Sequence, residues 1–242
     1  MTLKARQDSA QTPLMPERLL LTVAEELKLP LLQIARRAEQ GQLTGEADLR
    51  TISRTADSAL ELLDNYLLAI QLAAEPQQFA VESVSVSSIL YDVGQRLDAM
   101  AKVYGVDVQL NIAGRYGPVL AHRQALQAAL VSLGAALIEA LPAQDGSQQL
   151  KLQLATHRSR YGVVAGVYAE TPQLSAQALQ RGRALQSSRQ PFQKLSHSSG
   201  AGVFVADAIL RAMNLNLTTS RHHRLYGLGV VVQPSRQLSL VD

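Results

Sequence analysis

The stretch Ala24-Glu-Glu-Leu-Lys-Leu-Pro-Leu31 lies in a run, Thr22 to Ile34, that reads as one amphipathic helix with a proline inside it. Apolar residues recur at Leu20, Val23, Leu27, Leu31, Ile34 and Ala38, at spacings of 3, 4, 4, 3 and 4, which is the seam of a coiled coil. A turn-forming stretch, Gln40 to Asp48, comes next, and a second seam runs through Leu49, Ile52, Ala56, Leu60, Leu63, Leu67 and Ile70. Two such helices joined by a short loop form an antiparallel hairpin. A lone hairpin cannot bury both stripes, so the seams predict a homodimeric four-helix bundle with Leu20, Val23, Leu27, Leu31, Ile34, Leu60, Leu63 and Leu67 at its interface.

Beyond Ala73–Gln78, read as a linker, the pattern changes. Short alternating runs (Ala80–Val86, Val106–Ile112, Leu150–Thr156, Tyr161–Ala169, Leu215–Ser220, Tyr226–Pro234) predict strands. Helices are expected at 87–104, 121–141, 173–187 and 200–213. The fold class is therefore α+β: an N-terminal helical hairpin forming a dimeric bundle, then a mixed sheet covered by helices. The expected organisation is a polar N-terminus over 1–15, the hairpin over 16–72 and the sandwich over 79–242. The stretch Leu185–Gly200 has the composition of a loop.

Bulk properties agree. Of the 242 residues 47% are hydrophobic, enough for a large core, and 18% are charged. Aromatics make up only 4% and there is no Trp, so Ala, Leu and Val must fill that core. The absence of Cys excludes disulfides and thiolate metal sites and agrees with a cytoplasmic location. No apolar run is long enough to span a membrane, and the N-terminus lacks a signal peptide's apolar region. The net charge of +3 comes without a polybasic run, which makes nucleic acid an unfavoured partner.

The order of a dimerising hairpin and an α/β sandwich, with the box Ala24–Leu31, resembles the cytoplasmic core of sensor histidine kinases from about residue 16 onward. In that family the box reads Ser-His-Glu-Leu-Arg-Thr-Pro-Leu. Glu26, Leu27, Pro30 and Leu31 match it, and Lys28 keeps the positive charge. The resemblance gives Pro30 a role: it bends the first helix just past the reactive position, because proline lacks the N–H of an intrahelical bond.

The resemblance also places the functional positions. The phospho-accepting histidine falls on Glu25, whose carboxylate lacks the nucleophilic imidazole nitrogen. Glu25 and Glu26 point about 100° apart on a helix, so they do not act as one acid/base pair. The two asparagines of the first nucleotide box fall on Ser132 and Ala136, and a methyl group cannot ligate Mg²⁺. The adenine-recognising aspartate falls on Ala169, and the glycines after it on Thr171 and Gln173. The phosphate-cradling Gly-x-Gly-Leu-Gly-Leu becomes "GAGVFV", keeping Gly200 and Gly202 and placing Phe204 at the third glycine, where a ring blocks close backbone approach.

These substitutions lead to the expectation of a non-enzyme, a degenerate pseudo-histidine-kinase with no cofactor and no metal. It acts as a homodimeric scaffold that binds a response-regulator receiver domain or a partner histidine kinase. The expected partner surface is Glu25, Glu26, Lys28, Leu29, Leu32 and Arg36. A divergent ATP-binding phosphotransferase or ATPase is the first alternative, and a DNA-associated regulator the second. His222 and His223 are read as turn residues rather than a metal pair, His122 as a helix-start residue, and His197 as exposed in a loop.

Overall fold

The computed structural model describes residues 15–74, 80–112, 114, 116–141, 150–170, 180 and 201–235. The first described elements form the expected hairpin. Helix α1 spans Met15–Thr44 and α2 spans Leu49–Ala74. Helix α1 continues through Pro30, which withholds the N–H that would bind the Glu26 carbonyl. The expected nine-residue break from Gln40 to Asp48 shrinks to the four residues between the helices. Gly45, at φ 76°, donates its N–H to the Gly41 carbonyl at 2.9 Å and turns the chain out of α1. Gly41 lies so close to Ala47 that a Cβ on it would stand 2.7 Å from the Ala47 Cα. Asp48 then caps α2, its Oδ1 accepting from Thr51 N at 3.1 Å. The Thr51 hydroxyl and amide hold the Asp48 carboxyl below its usual pKa.

The sandwich comes after the hairpin. Its elements are β1 (Glu82–Val84), α3 (Val86–Val103), β2 (Val106–Ile112), β3 (Val119–Ala121) and α4 (Arg123–Ala140). After them come β4 (Leu150–Ser159), β5 (Gly162–Ala169), α5 (Ala201–Ala212), β6 (Leu217–His222) and β7 (Leu225–Val232). Five strands form one mixed sheet in the order β2-β4-β5-β7-β6, with β2 and β4 parallel and the other pairs antiparallel. β1 and β3 pair separately. β3 has no counterpart among the strands expected from sequence, and it ends at 121, where a helix is expected to begin. The helix expected over 173–187 lies almost entirely outside the described residues.

Register explains the core. Leu152, Leu154, Val163, Ala165, Val167, Leu228 and Val230 share one face of the sheet and are buried under α3, α4 and α5. α4 packs against the sheet and against α2, α3 and α5, and thirteen of its residues, from Ala125 to Ile138, are buried.

The hairpin does not stand apart from this core. Tyr66, Ala69 and Leu72 of α2 are 2%, 1% and 1% exposed and belong to the same apolar cluster as α4 and α5. Leu27 of α1 and Leu63 of α2 also pack against that cluster. The expected dimer seam is thereby divided. Leu31, Leu60 and Leu67 remain bare, while Leu27 and Leu63 are partly covered by their own chain. Ile34 is half-buried, and the side chains of Leu20 and Val23 lie outside the described residues.

Candidate functional site

The resemblance places two boxes on α4 and the start of α5, and the fold brings those two elements into direct contact. His122 caps α4, its Nδ1 accepting from Ala125 N at 3.1 Å, which is the helix-start role read from the sequence. Further along α4, Ser132 is 1% exposed and its Oγ has no hydrogen-bond partner among the described residues. Gly202 sits against this segment. A Cβ on Gly202 would stand 2.6 Å from the Ser132 carbonyl oxygen and 3.0 Å from the Ala136 Cβ. The glycine is therefore required by close helix packing.

Phe204, in the same first turns of α5, is fully buried in the apolar core. The ring therefore belongs to the core, and the position that the resemblance assigns to the third glycine carries a buried side chain. Val203 to Leu210 are all buried, because α5 packs against α4 and α2. Ala169 closes β5, is 2% exposed and lies between Leu152 and Tyr226 in register. Glu170, one residue on, is exposed. Gly200, Thr171, Gln173 and His197 lie outside the described residues.

On the hairpin, Lys28, Leu32 and Arg36 are exposed on α1. Glu25, Glu26 and Leu29 belong to the same helix, but their side chains lie outside the described residues. Arg37 of α1 reaches Asp48 at the hairpin turn, 3.5 Å away.

The structure also assembles a cluster that sequence reading missed. On the sheet face away from the helices, His157 of β4, Tyr168 of β5 and His222 of β6 converge. Ring centroids are 6.3 Å apart for His157–Tyr168, 5.6 Å for His157–His222 and 5.4 Å for Tyr168–His222. Tyr168 leans along the sheet over Gly166 and Gly227, whose missing side chains make room for it. Its hydroxyl meets Ser220 Oγ at 3.1 Å, and burial pushes its pKa up to about 12. His157 Nδ1 and His222 Nε2 are buried without hydrogen-bond partners among the described residues. Burial, and after it the neighbouring His223, lowers the pKa of both rings. His223 occupies the turn at φ 51°, edge-on to His222 at 4.4 Å. Of His157, Tyr168 and His222, only Tyr168 lies in a strand expected from sequence. β4 runs on past Thr156 to include His157, and His222, read as a turn residue, closes β6 and is buried, because strand pairing extends both strands beyond their alternating runs.

No known protein family and no curated protein matches the sequence. Solved structures do match the fold. The Acinetobacter baumannii histidine kinase AdeS is similar at 14% identity and a TM-score of 0.54, over 86% of this chain and 96% of that one. Full-length ShkA, solved in complex with AMPPNP, is similar at 14% identity and a TM-score of 0.53, over 92% of this chain. The chain spans about half of ShkA, 47% of its length. The hairpin, mixed sheet and covering helices together form a fold similar to that of these histidine kinases.

Proposed function

We propose that this protein is a catalytically inactive histidine-kinase-like signalling scaffold. It acts in the cytoplasm as a homodimer and binds a response-regulator receiver domain or a partner histidine kinase through α1. The observation that carries the reading is the contact of Gly202 with Ser132 and Ala136. It supports the alignment of the two boxes, and so supports the conclusion that a methyl group occupies the Mg²⁺-ligand position. With Glu25 at the acceptor position and Ala169 at the adenine position, neither the nucleophile nor the positioning needed for phosphoryl transfer remains.

The docking surface is Glu25, Glu26, Lys28, Leu29, Leu32 and Arg36. Three of these, Lys28, Leu32 and Arg36, are exposed on one stretch of α1. Glu25 presents a fixed negative charge where a phosphohistidine would carry one. The bare leucines Leu31, Leu60 and Leu67 supply apolar surface for the second subunit.

The test has two arms. Binding to a panel of receiver domains is expected in the micromolar range and is lost in the double variant Glu25→Lys, Leu29→Asp; binding indifferent to that change contradicts the docking surface. Phosphoryl transfer and ATP hydrolysis with Mg²⁺ are expected at background. Mg²⁺-dependent turnover would instead establish the divergent ATP-using enzyme, a reading to which ShkA's complex with AMPPNP lends some support.

A further inference from the structure

At the opposite end of β5 from Ala169 the fold forms an open cavity of about 380 Å³. Seven residue steps along a strand separate the two ends, roughly 23 Å. One wall is the tip of the β4–β5 hairpin, Arg158 to Gly162, and the other is Tyr116 and Gly117 with Pro234. The second wall is tied down by two backbone hydrogen bonds, Leu120 N to Gln233 O at 3.1 Å and Ser235 N to Pro118 O at 2.8 Å. The hairpin tip is also fixed. Ser159 Oγ accepts from Tyr161 N at 3.2 Å and donates to Gly162 O at 3.2 Å, and Gly162 lies against the Val232 carbonyl where no Cβ fits.

The chemistry of the lining is one-sided. Arg158 and Arg160 both reach it, no carboxylate lines it among the described residues, and neither arginine forms an ion pair with any of them. The Arg160 guanidinium lies 4.4 Å from the centre of the Tyr161 ring, which is 64% exposed. Tyr116 adds a second aromatic on the far wall. Two such guanidiniums suit a phosphate, which Arg binds through paired N–H donors. The exposed face of Tyr161 at the same site, with the half-buried Tyr116 across from it, suits a flat ring, as in base stacking.

The geometry points to a binding site for a nucleoside monophosphate, with phosphate on Arg158 and Arg160 and the base stacked on Tyr161 or Tyr116. The site is separate from the α4–α5 region where the resembled family would hold nucleotide, and it uses no metal.

Calorimetric titration of the full chain with AMP, in the absence of Mg²⁺, tests the assignment. AMP binds, and inorganic phosphate binds at least tenfold more weakly because it cannot stack. The double variant R158E/R160E weakens AMP binding at least tenfold, and Y161A weakens it about fivefold, the scale of an exposed cation–π and stacking contribution. Both arginines are surface residues, and unchanged circular dichroism and melting would show that the fold is retained. Three outcomes overturn the proposal: no AMP binding at millimolar concentration, phosphate binding as tightly as AMP, or AMP binding that survives R158E/R160E. The last would place the nucleotide elsewhere. Mg²⁺-dependent turnover, which would sink the scaffold reading, leaves this assignment untouched.

Discussion

Gly202 of α5 rests on the Ser132 carbonyl oxygen and the Ala136 methyl of α4, with no room for a side chain between them. Substitution here tests how rigidly the two helices are joined. Gly202→Ala would place its methyl 2.6 Å from a backbone oxygen, which cannot rotate away. Overpacking of this kind costs about 1–3 kcal/mol. Urea denaturation should show a lowered midpoint with an unchanged slope; an unaltered midpoint would mean that α5 moves freely on α4.

Leu72 and Tyr66 join the hairpin to the sandwich. Leu72→Ala removes a fully buried side chain, and such truncations cost about 2–5 kcal/mol. The loss should fall mainly on hairpin docking, so limited proteolysis between hairpin and sandwich should speed up before global unfolding does. Equal protection of wild type and variant would contradict a docked α2.

Leu60 and Leu67 are 59% and 47% exposed, so their replacement barely disturbs a single chain. Leu60→Asp with Leu67→Asp should convert a dimer to a monomer in analytical ultracentrifugation. The far-ultraviolet circular dichroism of the monomer should keep its helical signal. A wild-type chain that sediments as a monomer at micromolar concentration would refute the bundle.

His157 and His222 titrate below the ordinary histidine value in the folded protein. Above pH ~6.5, the unfolded value, both states are neutral and the rings contribute no pH dependence. As pH falls below it, the unfolded chain takes up protons that the folded one resists, so stability declines until the folded pKa is passed. The melting temperature should drop as pH is lowered from about 7 to about 5, and His157→Phe with His222→Phe should reduce that drop.

Much of this architecture was written in local pattern. Spacings of three and four marked α1 and α2, and alternation marked β2, β4, β5 and β7 to within a few residues, because both periods follow from backbone geometry alone. β3 escaped, since three residues are too few to show a period. The shortening of the hairpin loop escaped because the stretch from Gln40 to Asp48 is rich in turn formers, although α1 runs on to Thr44 and Gly41 lies inside it, where the link residue Ala47 folds back against it.

The candidate sites divide in the same way. The sequence alone determined that Glu25 carries no imidazole, Ala136 no metal-ligating oxygen and Ala169 no carboxylate, because residue identity limits chemistry wherever the residue lies. Only the tertiary structure decided that Tyr66, Ala69 and Leu72 cover α4 and α5, that Phe204 enters the core, and that Arg158, Arg160 and Tyr161 share a cavity with Tyr116. An apolar stripe specifies that a surface must be buried but not what buries it, and residues far apart in the chain meet only when strand pairing and helix docking set their distance.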